Sequence, residues 1–177
     1  MKKKYNITAV LQKGENKMTK KYLNQIFKMV LGYNYENSVE RKDLRYMHQI
    51  IYLLQELGFP ADDYGFSWCF YKIYSGNLQK DLMSCNFKKQ TRENIKFRKE
   101  FVEKINKLKK IIESEQKGNY STGQWLDCLA ALCYLKKYIM PPNSSDNELL
   151  NELQRIKPYL YSQEVNRKAY TLIMQNF

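Results

Sequence analysis

The single histidine, His48, sets the first limit on what chemistry this chain can do. Hydrolysis by a Ser–His–Asp or Cys–His arrangement has to run through it. Its place opposite Leu44 and Ile51 in a run of helical spacing reads instead as a surface histidine of an amphipathic helix. Cys69, Cys85, Cys128 and Cys133 lie in or beside apolar segments, and no two have C-x-x-C spacing. With one histidine, they read as reduced core thiols and not as a zinc site. The seven glycines, at 14, 32, 58, 65, 76, 118 and 123, form neither a dinucleotide fingerprint nor a phosphate cradle. Asp62, Asp63, Asp81 and Asp127 are scattered carboxylates, for which turn and capping roles are the simpler reading. We therefore expect no catalytic residue, no metal and no cofactor, and a protein that works by binding without turnover.

Two constellations are left that can bind. The first is charge. The net charge is +12, and counting locates it: residues 1 to 21 hold seven lysines against Glu15, a balance of +6. Residues 88 to 110 hold ten Lys or Arg against Glu93, Glu100 and Glu103, a balance of +7, so the rest of the chain sums to −1. Phe97, Phe101, Ile105, Leu108 and Ile112 recur at helical steps and define one apolar face. Lys89, Arg92, Lys96, Lys99, Lys107 and Lys110 fall opposite it in a strip about 80° wide, with Glu103 interrupting and Arg98 on the apolar side. Such a row can track phosphates by counterion release. It can also meet an acidic protein, or be a solvated lysine face.

The second constellation is aromatic. Residues 66–74 are rich in aromatic and β-prone types. Read as one strand, Trp68, Phe70 and Tyr74 point to one side and Cys69, Tyr71 and Ile73 to the other. One side belongs to the core. The other, with Lys72, either anchors a protein, stacks on unpaired bases or is covered by helices. Trp68, Tyr71, Lys72 and Tyr74 are the candidate partner-binding residues.

The elements that must position these groups are mainly helical. Residues 19–31 read as a helix with Thr19 as N-cap, and residues 32–38 as a break. Leu44, Met47, Ile51, Leu54 and Leu57 predict a second helix that stops at Gly58. Ser75 caps a short helix to about Met83, and the basic helix occupies roughly 91 to 116. Ser121 or Thr122 caps a central helix whose residues Trp125 to Leu135 are apolar on nearly all sides. Residues 141–145 form a linker, after which Asp146 to Ile156 and Gln163 to Met174 read as two more helices.

The expected architecture is a mainly α, single-domain helical bundle of about six or seven helices with a short extended or β segment near 66–74. A basic arm covers 1–18, the main helical core 19–140, and a C-terminal helical pair, 145–177, packs on that core. At 177 residues with 44% hydrophobic content the chain can bury a continuous core. No apolar run approaches the roughly 20 residues that span a bilayer, and the start lacks a signal-peptide core. A cytoplasmic location without membrane contact is the expectation.

Four stretches resemble one known family. Residues 41–60, RKDLRYMHQIIYLLQELGFP, followed by Phe66, Trp68, Tyr74, Ser75, Leu78, Asp81 and Leu82, are similar to the pattern K-L-x-K-L-I-Y-L-L-Q-x-L-G leading into F-x-W-Y-x-Y-G-P-Y-S-x-x-L. Trp125 to Leu135 and Lys157 to Val165 are similar to L-E-L-L-A-S-L-x-Y-L and K-P-x-F-S-x-E-E-V. Over roughly 41 to 174 the chain thus resembles the YwgA-like proteins, distant relatives of the SocA-like, or Panacea, antitoxin domain. The resemblance implies a mostly helical fold and a regulator that neutralises a protein partner, a toxin or nuclease effector, by direct contact. One departure stands out: Lys72-Ile73 replaces the family's Gly-Pro, so a longer strand is expected in place of a tight turn.

Two functions follow as expectations. The first is a non-enzymatic regulator or inhibitor of antitoxin-like type, of the kind that phages and mobile elements carry. The alternative is a DNA- or RNA-binding protein that uses segments 1–21 and 88–110. An inhibitor of a host defence nuclease such as a CRISPR effector satisfies both.

Overall fold

A computed structural model of the chain describes residues 22–32, 41–61, 64–84 and 97–177. The basic arm 1–18, the Thr19 cap, residues 33–38 of the break, Asp62, Asp63, Cys85, Lys89, Arg92 and Lys96 lie outside the described residues. Seven α-helices and one two-stranded antiparallel sheet are found among them, in the order α1 (Leu23–Leu31), α2 (Arg41–Glu56), β1 (Ser67–Cys69), β2 (Lys72–Tyr74), α3 (Gly76–Ser84), α4 (Lys99–Ile112), α5 (Thr122–Tyr134), α6 (Asp146–Ile156) and α7 (Gln163–Asn176). The architecture is mainly α with a short β segment, as the sequence predicts.

Helix α5 is the central element because its sequence leaves it no solvent face. Every residue from Trp125 to Cys133 is buried, and the helix packs against α2, α4, α6, α7 and β2. Each fully buried leucine side chain there contributes about 2 kcal/mol of transfer free energy. The start of α5 is fixed by a capping box: Ser121 Oγ accepts from the Gln124 amide, and the Gln124 side chain accepts from the Ser121 amide. Gly123 lies in its first turn, where the Tyr46 ring of α2 passes so close that a Cβ would stand 2.5 Å from the hydroxyl oxygen. At the other end the helix widens into a π turn, Leu135–Ile139, in which the Met140 amide bonds back five residues to the Leu135 carbonyl at 2.8 Å.

Helix α2 ends where predicted: Gly58 takes φ +74°, and the Phe59 amide reaches the Leu54 carbonyl at 2.9 Å. Its histidine is a correction. His48 is 3% exposed, not at the surface, because its helix is covered on that side by the hairpin and α3. Helix α4 buries Phe101, Ile105, Leu108, Ile111 and Ile112 and packs on α1, as its apolar period requires. It begins at Lys99: Phe97 and Arg98 precede it outside the helix, and Arg98 is extended, with φ −60° and ψ 149°. Ser114 then caps a separate 3₁₀ turn, Glu115–Lys117.

Residues 66–74 depart from a single strand. They fold back as a hairpin in which Ser67 pairs with Tyr74, Trp68 with Ile73 and Cys69 with Lys72. Phe70 and Tyr71 form the two-residue connection, both at positive φ, +46° and +61°. The tight turn therefore exists, two residues ahead of the Lys72-Ile73 position, and the expected longer strand does not form. Pairing puts Trp68 and Ile73 on one face and Ser67, Cys69, Lys72 and Tyr74 on the other. The alternation expected for one continuous strand is overturned by the turn at its centre.

Candidate binding surface at the hairpin tip

A two-residue hairpin connection with positive φ at both positions is the type I′ pattern, which Asn-Gly and Gly-Gly fill without strain. Phe70 and Tyr71 carry a Cβ and a ring, and each holds the left-handed region at a cost of order 1 to 3 kcal/mol. The rings are not buried in return: Phe70 is 88% exposed and Tyr71 60%. Lys72 is exposed beside them.

What holds this tip is a buried cation 86 positions further along the chain. The Lys157 ammonium, 1% exposed, donates to the Tyr71 carbonyl at 2.7 Å, to Asp127 Oδ2 at 3.0 Å and to the Tyr159 hydroxyl at 3.2 Å. All three of its protons are used. It also lies 5.5 Å from the centre of the Trp68 ring and 5.7 Å from that of Tyr159. Asp127 is completed by Gln49 Nε2 at 2.7 Å and by the Tyr159 hydroxyl. Burial is the main cause that draws the Lys157 ammonium below its ordinary range, with Asp127 opposing it and the nearby charges of Arg45 and Lys72 adding to it. Fully hydrogen-bonded, the ion pair offsets much of its desolvation.

The hairpin base is fixed from α2. His48 Nδ1 accepts from the Ser75 amide at 3.2 Å, so Nε2 carries the proton and donates to Gln79 Oε1 at 3.2 Å. The ring stacks on Tyr74 at 4.9 Å. Burial holds His48 below its ordinary value, against the bond to Gln79. Ser75 caps α3 through the Leu78 amide, and its own hydroxyl donates to the Tyr64 carbonyl.

Of the four aromatic-site candidates, the fold places Tyr71 and Lys72 at the tip and Tyr74 at the base. Trp68 is half-buried against Tyr134, ring centres 5.5 Å apart, and faces the Lys157 ammonium. The basic-row candidates that can be placed lie on α4: Lys99, Lys107 and Lys110 are exposed. Lys99 stands 3.9 Å from Glu103, and Lys107 donates to the Asn176 carbonyl at 3.1 Å. Charge is thus partly answered from within the chain. Among the described residues, no group of His, Cys, Asp or Glu could hold a metal ion, and no helix is long and apolar enough to cross a membrane.

The chain matches no protein-family model, no curated protein and no solved structure. The residues of the chain itself therefore carry the reading.

Four of those residues, Phe70, Asp127, Tyr159 and Lys157, are absent from the candidates drawn from sequence. Asp127 corrects an expectation: it is no turn or cap residue but one half of a buried ion pair. The signal was present, since a lone carboxylate within the apolar run from Trp125 to Leu135 calls for buried hydrogen-bond donors or a buried cation. Nothing in the sequence says which of 30 Lys and Arg supplies it.

Proposed function

We propose that this protein is a non-enzymatic regulator that acts by stoichiometric contact with another protein, and that the Phe70–Tyr71 tip is its point of contact. The observation that carries this is the pairing of strain with exposure. A sequence under selection for stability alone would place Asn-Gly at this turn; here two rings are held in a costly backbone conformation and offered to solvent. Rigid aromatic side chains lose little entropy on docking, and they are the residue types that dominate interface energetics. Lys72 and Arg45 near the anchoring cation favour a partner whose apolar pocket has an acidic rim. The resemblance to the antitoxin-like family points the same way, toward neutralisation of a toxin or nuclease effector.

Replacing the tip by Asn-Gly tests this directly, because F70N/Y71G relieves the turn while removing the rings. The parent protein purified from its native cells is expected to bring a protein at one-to-one stoichiometry; the tip variant is expected to lose it, and Lys99, Lys107 and Lys110 changed together to Glu are expected to keep it. If the parent instead brings nuclease-sensitive nucleic acid, lost steeply with salt and in the lysine variant, the contact is with phosphates and the reading fails.

A further inference from the structure

A second feature of the surface is a cleft beside the π turn. Where α5 opens into its π turn, the wider backbone turn brings Lys137 and Tyr138 over the end of α2. A cleft of about 310 Å³ lies there, lined by Tyr52, Gln55, Glu56, Gly65, Phe66 and Tyr138. Its walls are aromatic: the Tyr52 and Phe66 ring centres are 5.4 Å apart, and Tyr134 stands 5.9 Å from Tyr52 and 4.8 Å from Tyr138. Its polar end is the Glu56 carboxylate, whose side chain is only 10% exposed. That carboxylate takes an ammonium already. Lys137 Nζ sits 2.5 Å from Glu56 Oε2 and 5.3 Å from the Tyr138 ring centre, while the Tyr138 hydroxyl donates to Glu56 Oε1 at 3.2 Å. The Tyr52 hydroxyl lies in the same wall, fully buried beside the Cys133 thiol.

We propose that this cleft is a binding site for a primary alkylammonium, with Lys137 as its internal stand-in. An incoming ammonium displaces Lys137 Nζ from Glu56, keeps the carboxylate neutralised and lays its methylenes on the Tyr138 and Phe66 rings, where the cation also gains from the ring faces. A quaternary ammonium lacks the N–H donors that Glu56 takes, and a carboxylate ligand is excluded by Glu56. Lys137 is half-exposed on its own side chain, so its ammonium can leave Glu56 for solvent when another takes its place.

The proposal has a signed consequence. K137M removes the competitor and is expected to tighten n-butylammonium binding about fivefold over the parent, the factor that 1 kcal/mol supplies, read by NMR titration. K136M removes an equal charge one residue away without touching Glu56 and is expected to bind as the parent does. E56Q in the K137M background is expected to lose binding while its circular dichroism stays that of the parent. A gain in K136M equal to that in K137M, binding retained without Glu56, or tetramethylammonium binding as tightly as butylammonium each overturn the assignment, as does silence of both parent and K137M at millimolar amine. N-acetyl-lysine methylamide binding as tightly as butylammonium identifies a lysine side chain of another protein as the source; a preference for 1,5-diaminopentane identifies a free polyamine.

Discussion

Lys157 donates to the main-chain carbonyl of Tyr71 at 2.7 Å, so a buried cation from the end of α6 holds the turn that carries the exposed rings. The same ammonium neutralises Asp127 in the centre of α5. Tip and core therefore share one cation, and its removal perturbs both.

Removing the cation leaves Asp127 buried and uncompensated. K157M is expected to lose about 3 to 5 kcal/mol in urea denaturation, and D127N/K157M to lose less than K157M alone. Equal losses in the single and double variants would show that the charge itself is not the issue.

The tip responds in the opposite direction. F70N/Y71G is expected to gain about 1 to 2 kcal/mol, because Asn and Gly tolerate the positive φ that strains Phe70 and Tyr71. A midpoint at or below that of the parent would mean that the turn stores no strain.

His48 makes stability depend on pH. Burial, only partly opposed by the bond to Gln79, keeps its folded-state pKa below 6.5. Between those two values the unfolded chain binds the additional proton, so the His48 contribution is complete above pH 6.5 and declines as pH falls below it. The slope cannot exceed about 1.4 kcal/mol per pH unit for one group. His48→Asn, whose side-chain oxygen can take the Ser75 amide, is expected to flatten this decline between pH 7.5 and 5.5, as followed by chemical denaturation at each pH.

Gly123 reports on the contact between α2 and α5. Gly123→Ala sets a methyl against the Tyr46 ring and is expected to cost about 1 to 3 kcal/mol. Adding Tyr46→Ala opens the space, so the Gly123→Ala increment should shrink in that background; an unchanged increment rules out the steric account.

The thiols order themselves by burial. Cys133 is pushed up to about 12 chiefly by burial, and Cys128 higher still, also by burial first. In a Cys85→Ser background at pH 8, Cys69 is expected to take up a thiol reagent well before Cys128 or Cys133. Simultaneous labelling of all three would mean that α5 opens readily.

The helices were legible because their signals are local. Ser121, Ser145 and Ser162 each accept from an amide of the first turn that follows, and the apolar period correctly puts Met47, Ile51 and Leu54 of α2 and Phe101, Ile105, Leu108 and Ile112 of α4 in the core. The hairpin was not, because Phe70-Tyr71 is among the last dipeptides that turn chemistry would select. Its shape is imposed by tertiary contacts, from Lys157 above and from His48 on Ser75 below, and pairings 86 and 27 positions apart leave no trace in a short window. His48 was misplaced for a related reason: the wheel of α2 gives its own apolar face but not what covers the opposite one. The lysine row was found from sequence as far as Lys99, Lys107 and Lys110, yet the bond from Lys107 to the end of α7 depends on packing that the row itself does not encode.

The span from Tyr71 to Lys157 also sets an order of events during synthesis. Chains leave the ribosome N-terminus first, at about 5 to 20 residues per second. The hairpin segment is therefore free for several seconds before the cation that clamps it emerges, and α5 must carry an unanswered carboxylate over part of that interval. Completion of the contact surface is in this sense a late checkpoint in the life of the nascent chain: the rings become fixed in their presenting geometry only when the core has already closed around Asp127.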